Sequence, residues 1–175
     1  HRAIAPSSKL ECWSRWRRDG VYLPSADPVR LQDVYRCMDF FLEHKEQIER
    51  AVYFKVADLL NVDVDLIFYD TTSLHFEIDE EDEVTQRRTR RDGTEATYEP
   101  LRKRGHSKNG RTDAPQIVIG MAVTRDGLPV RSWVFTGNTN DVTTVEKVKA
   151  DLKGWKLGRC VFVGDAGMNS ESNRR

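Results

Sequence analysis

Cysteine is scarce in this sequence. Cys12, Cys37 and Cys160 are odd in number, far apart and without C-x-x-C spacing. The pattern gives no basis for a disulfide framework or a thiolate zinc site, and reduced thiols in a cytoplasmic protein are expected. No apolar run reaches the roughly 18 residues that a bilayer-spanning helix needs, and no signal peptide is visible, so no membrane partner is expected. Net charge is missing too: Lys+Arg and Asp+Glu number 28 each, and the total therefore points to no partner. There is no initiating methionine. The chain opens on His1 and stops on Asn173-Arg174-Arg175, and it is expected to be a piece of something longer. Its 175 residues are enough to bury a core in one or two domains.

What is present falls into a helical part and a β part. Asp27-Pro28 supplies an N-cap with proline at the first helical position, and Leu31, Val34, Tyr35, Met38, Phe41 and Leu42 recur at helical spacing. A second helix carries Ile48, Ala51, Val52, Val56, Leu59 and Leu60 on one face, with Asn61 as its C-terminal signal. Residues 1–62 are thus expected to form a helical N-terminal region. Ahead of these helices Trp13, Arg15, Trp16, Arg17 and Arg18 form a basic, aromatic patch, which suits either packing on the helices or contact with nucleic acid.

From Leu66 the pattern becomes β. Leu66-Ile67-Phe68-Tyr69 reads as a strand buried on both faces, yet Asp70 follows at once, costly to bury without a partner. Residues 79–115 have no sustained periodicity and read as a charged excursion. Asp79-Glu80-Glu81-Asp82-Glu83 gives way to Arg87, Arg88, Arg90, Arg91, Arg102, Lys103, Arg104, Lys108 and Arg111. A connection of this length is functional or disordered. Ile117 to Val123 is a central strand, Arg125-Asp126-Gly127 a turn, and Val130 to Phe135 the return strand of a hairpin. A helix with Val145, Val148 and Leu152 on its apolar stripe follows, with Thr143 and Glu146 spaced as a capping box. Cys160 to Val163 is a short strand ending in Gly164-Asp165-Ala166-Gly167. Because it returns through a helix, it should lie parallel to its neighbour. The expected fold is therefore α/β. An antiparallel meander followed by a parallel strand is the opening of a ribonuclease H-like mixed sheet, with the first strand central and the last beside it.

That order would bring Asp70 and Asp165 together. Paired acids repel unless a cation neutralises them, and Mg²⁺ takes oxygen ligands while keeping positions for water and phosphate. Two such ions about 3.5–4 Å apart serve phosphodiester chemistry. Each residue also has a plainer reading. Asp70 suits a hydrogen-bonded or edge-strand residue, and Asp165 a turn or N-cap. Asp141 suits a helix cap, with third ligand as its alternative. His75 and His106 lack paired ligand spacing and read as a sheet and a loop residue. The basic run from Arg87 to Arg111 faces only Asp92, Glu95 and Glu99, which suits phosphate contacts or a solvated linker.

FYDTTSLHFE, LRKRGHSKNGRTDAPQIVIGMAVTRDGLPV, GNTNDVTT and VFVGDAGMNS, in that order, resemble DDE transposases of bacterial insertion sequences. The likeness covers roughly residues 30–175, and is greatest to the group with a β-strand insertion later in the catalytic domain. It implies a ribonuclease H-like domain from residue 63 onward, with Asp70 as the first catalytic acid and Asp165 as the second. It further implies two Mg²⁺ or Mn²⁺ ions, transposon-end and target DNA as substrates, and a homodimer. The family's third acid is a glutamate on a helix beyond the insertion. No residue of this sequence matches it; Glu95, Glu99 and Glu171 stand in the wrong places. The alternatives from the sequence are a ribonuclease H-like nuclease and a non-catalytic DNA-binding remnant of a decayed element.

Overall fold

The structure, a computed structural model, describes residues 4–60, 65–90, 93–107, 110–155, 157, 161–170 and 173. Arg91, Lys108, Cys160, Asn61 and Glu171 lie outside them, as does the expected boundary at residue 62. The chain divides into two compact units, His1–Glu49 and Arg50–Arg175.

In the first unit Ser8 caps α1 (Lys9–Glu11), its hydroxyl accepting the Glu11 N–H at 3.0 Å, and a π-helical stretch continues over Cys12–Gly20. A short 3-10 turn, Pro24–Ala26, precedes α2 (Leu31–Glu43), and α3 (Lys45–Leu60) starts after His44. α2 begins at Leu31, later than Asp27-Pro28 suggested. The Val29 carbonyl is already taken, by Trp13 Nε1 at 2.9 Å and Arg17 Nη1 at 2.7 Å. Capping passes to Asp33, which accepts the Arg30 N–H at 3.0 Å. The Arg30 guanidinium beside it holds the Asp33 carboxyl down at about 2. Two members of the basic, aromatic patch are thus tied to this unit's own backbone, and a third, Arg15, pairs with Glu11 at 3.4 Å. The apolar stripe of α2 buries none of its residues.

Among its described residues the second unit holds six strands: β1 (Leu66–His75), β2 (Gln86–Thr89), β3 (Glu95–Tyr98), β4 (Gln116–Thr124), β5 (Pro129–Thr136) and β6 (Val161–Gly164), with α4 (Asp141–Leu152) between the last two. Four of them make a mixed sheet in the order β5-β4-β1-β6, while β2 and β3 pair with each other in a second, two-stranded sheet. β4 is antiparallel to both its neighbours and β6 is parallel to β1. The expected meander and parallel return are both present. Gly127, at φ +79°, closes the β4–β5 turn, where a side chain would strain the backbone.

The core lies on one face of the sheet. Ile67 and Tyr69 of β1, Val118 and Ala122 of β4, and Trp133 and Phe135 of β5 form a single cluster with Val145, Val148 and Leu152 of α4. Gly120 lets the Tyr69 ring cross β4, since a Cβ there would meet the ring's hydroxyl oxygen at 2.5 Å. That hydroxyl donates to Thr144 Oγ1 at 2.9 Å, and burial pushes its pKa up. The second half of α3 turns a different face inward from the one its aliphatic spacing suggested. Tyr53 is buried while Val52 and Leu59 are exposed. The aromatic rings decide this, because Tyr53 and Phe54 pack on Trp155 at centroid distances of 5.8 and 6.4 Å.

β1 is not buried on both faces. Its burial alternates: Ile67, Tyr69 and Thr71 point into the core, and Phe68, Asp70 and Thr72 point out. β4 and β5 follow the same rule, leaving Met121 and Val134 each 45% exposed on the open side. An apolar run four residues long does not distinguish the two cases, because covering one face already requires half of it.

Candidate active site

The register of β1 and β6 builds the site. Tyr69 is aligned with Gly164 in this parallel pair, so the chain delivers Asp70 and Asp165 as the next residues of two adjacent strands. Both line one cleft of about 570 Å³. Its walls are the outward residues of the open face, Phe68, Thr72, Ile119, Met121 and Val123, with Val163 and Gly164 of β6. The alternation that places Asp70 opposite the core is therefore also what exposes it. Its cost of burial is never incurred.

Each carboxylate is oriented locally. Asp70 Oδ1 accepts the Thr71 N–H at 2.7 Å, and Asp165 Oδ1 accepts the Ala166 N–H at 2.5 Å, which caps the 3-10 turn Ala166–Met168. Asp165 is a turn cap, as its plainer reading held, and also a member of the cleft; the two roles coexist. The turn is buttressed from behind. Met168 is buried, and the Asn173 amide donates to Met168 O at 2.8 Å and to Val142 O at 3.0 Å. On that side Asp165 borders a second cleft of about 630 Å³ with Lys149 on its rim.

Asp141 is not among the residues that line the cleft of Asp70 and Asp165. It is the first residue of α4, and Asn140 is the N-cap, its Oδ1 accepting the Val142 N–H at 3.3 Å. The expected capping box at Thr143 is displaced to this position, and Thr143 instead donates its hydroxyl to Asn140 O at 2.7 Å. His75 Nε2 lies 3.0 Å from Ser107 Oγ, which holds strand to loop. Among the described residues no group of three His, Cys, Asp or Glu side chains is placed to hold a metal ion.

The charged excursion resolves into two parts. Residues 77–82, 101–107 and 110–113 form a clasp of opposite charges. Arg102 pairs with Asp82, Lys103 with Glu81 at 3.6 Å, and Arg111 with both Glu77 at 3.1 Å and Asp113 at 2.8 Å. Arg104 donates from its backbone N–H to Glu81 Oε1 at 2.6 Å and from Nη2 to Asp79 O at 2.5 Å. The hydrogen bonds from Arg102 hold the Asp82 carboxyl at about 2, and the backbone N–H of Arg104 lowers that of Glu81. Gln116, fully buried, ties the clasp to the end of β5 through Gly137 O at 2.7 Å and His106 O at 3.2 Å. Glycine is required at this crossing: a Cβ on Gly137 would lie 2.0 Å from Gln116 O and 2.1 Å from Lys103 O. The clasp, Gln116 and these close approaches were missed in the sequence. The alternating acidic and basic blocks were the available signal. Arg87, Arg88 and Arg90 belong to the second part, the β2–β3 ribbon, and make no ion pair with a carboxylate among the described residues.

Comparison of the chain with protein-family models, with curated proteins and with solved structures gives no match in any of the three. No helix among the described residues is long and apolar enough to cross a membrane.

Proposed function

We propose that this chain carries the first two acids of a ribonuclease H-like, metal-dependent DNA transposase. The observation that carries the reading is that Asp70 of β1 and Asp165 at the end of β6 each follow an aligned pair, Tyr69 and Gly164, and line one cleft. Two carboxylates on rigid elements are an oxygen donor set of the kind that hard divalent cations take, and they fit Mg²⁺ or Mn²⁺. Asp70 and Asp165 would hold the cation, with a further acid supplied from outside this sequence. The cation, when bound, supplies a lowered pKa for water and charge neutralisation at a phosphodiester. The chain's own contribution is positional: β1 and β6 fix the two carboxylates, the Ala166–Met168 turn fixes the second one's orientation, and the open face leaves the cleft accessible to a polynucleotide. The full reaction would cut DNA at a transposon end and join the freed 3′-hydroxyl to target DNA.

The test is Mg²⁺- or Mn²⁺-dependent nicking and joining of end DNA by the protein that contains this chain. Asp70→Asn and Asp165→Asn should each abolish both products. Undiminished cutting by either variant would sink the proposal, and cutting without joined DNA would replace it with a plain nuclease.

A further inference from the structure

The nine basic residues between positions 87 and 111 look alike in the sequence, and those described differ in the fold. Arg102, Lys103, Arg104 and Arg111 are held by the carboxylates and carbonyls of residues 77–82 and by Asp113. Their charge is largely spent within the chain. In the β2–β3 ribbon the arrangement is reversed: its described acids, Glu95 and Glu99, are bonded by neutral hydroxyls. Thr89 Oγ1 donates to Glu95 Oε1 at 2.7 Å, and Thr85 Oγ1 to Glu99 Oε2 at 3.2 Å. Arg88 is propped by Gln86 Oε1 at 2.9 Å and lies over the Tyr98 ring at 5.8 Å. All four residues of β2 are exposed, and Arg90 just beyond it is exposed as well.

We infer that the β2–β3 ribbon is a nucleic-acid backbone clamp, gripping phosphates through Arg87, Arg88 and Arg90, while the basic residues of the clasp are structural. The inference rests on the transposase reading for the identity of the polyanion. Alternation puts Arg88 and Arg90 on one face of the ribbon, roughly 7 Å apart at strand rise, a separation that suits successive phosphates along a strand, and Arg87 on the other face. Arginine on an aromatic ring is pre-organised for such contacts, since stacking fixes the guanidinium plane without using its donors. A ribbon of two short strands is marginally stable alone, and three arginines that form no ion pair among the described residues add repulsion that a bound polyanion would relieve. Contacts of this kind read charge and not base sequence.

The experiment measures binding of a fluorescently labelled duplex of arbitrary sequence to the 175-residue chain across a salt series. The triple variant R87Q/R88Q/R90Q should bind about 10- to 100-fold more weakly at low salt, and the slope of log affinity against log salt should flatten by roughly 0.9 per arginine removed. R111Q, taken from the clasp, should keep the wild-type slope. Circular dichroism and thermal melting of each variant establish that it is folded. An unchanged slope in the triple variant, an equal flattening in R111Q, or no duplex binding by the wild type would each overturn the inference. So would arginine-dependent binding to anionic phospholipid vesicles without binding to DNA. Mn²⁺ binding at Asp70 and Asp165, measured separately without DNA, distinguishes failure of the ribbon from failure of the acidic site.

Discussion

The two faces of β1 are built from neighbouring residues and have opposite fates. Ile67, Tyr69 and Thr71 are closed under α4 and its cluster, while Phe68, Asp70 and Thr72 line an open cleft. The closed face supplies the rigidity and the open face presents the carboxylate. A two-residue period suffices to separate the two tasks, and no special loop is needed to expose Asp70. The same division recurs in the excursion between β1 and β4, where the clasp consumes its charges and the ribbon displays them.

Single substitutions on adjacent residues should separate the faces most sharply. Ile67→Ala removes a side chain with no exposed surface and should cost about 2–5 kcal/mol in chemical denaturation, whereas Phe68→Ala, 40% exposed, should cost less than half as much. Equal losses would mean that the open face is closed in solution. Gly137→Ala tests the clasp against the sheet. With carbonyl oxygens 2.0 and 2.1 Å from the added Cβ, it should lose about 1–3 kcal/mol by overpacking, and a neutral result would show that the crossing is looser than described. Tyr69→Phe leaves the core volume intact and removes only the donor to Thr144. About 1 kcal/mol is expected.

The smallest effect is electrostatic. Arg102 holds the Asp82 carboxyl at about 2, below its ordinary 3.8. A depressed folded-state pKa stabilises above the unfolded value, so the contribution is complete above about pH 4 and is lost as the pH falls toward 2. A carboxyl NMR titration should place the Asp82 midpoint near the lower value in wild type and return it toward the ordinary one in Arg102→Gln. An Asp82 midpoint near 4 in wild type would break the clasp.

Much of this arrangement was legible in the sequence. The order of meander, helix and parallel strand followed from turn signals and apolar periodicity, and the pairing of Asp70 with Asp165 followed from that order. What could not be read were facts settled by distant partners. α2 starts late because Trp13 and Arg17 occupy the Val29 carbonyl, and no propensity rule registers a competing side chain sixteen residues away. The inward face of α3 is chosen by Tyr53 and Phe54 meeting Trp155, a hundred positions along the chain. The open face of β1 was hidden because Phe68 is as apolar as Ile67. The clasp escaped because its charges look solvated until the acids and bases are seen to face each other.

Asp70 and Asp165 are proposed to act as one cation-binding pair. Thermal unfolding of the 175-residue chain in rising Mn²⁺ tests it most directly, with Asp70→Asn and Asp165→Asn alongside. Binding to the folded state alone raises stability with cation concentration, at about 2–4 °C per kcal/mol for a chain of this size. A saturable rise in Tm is expected for the wild type, and either substitution should remove it. A rise that persists undiminished in both variants, or none in the wild type, would contradict it.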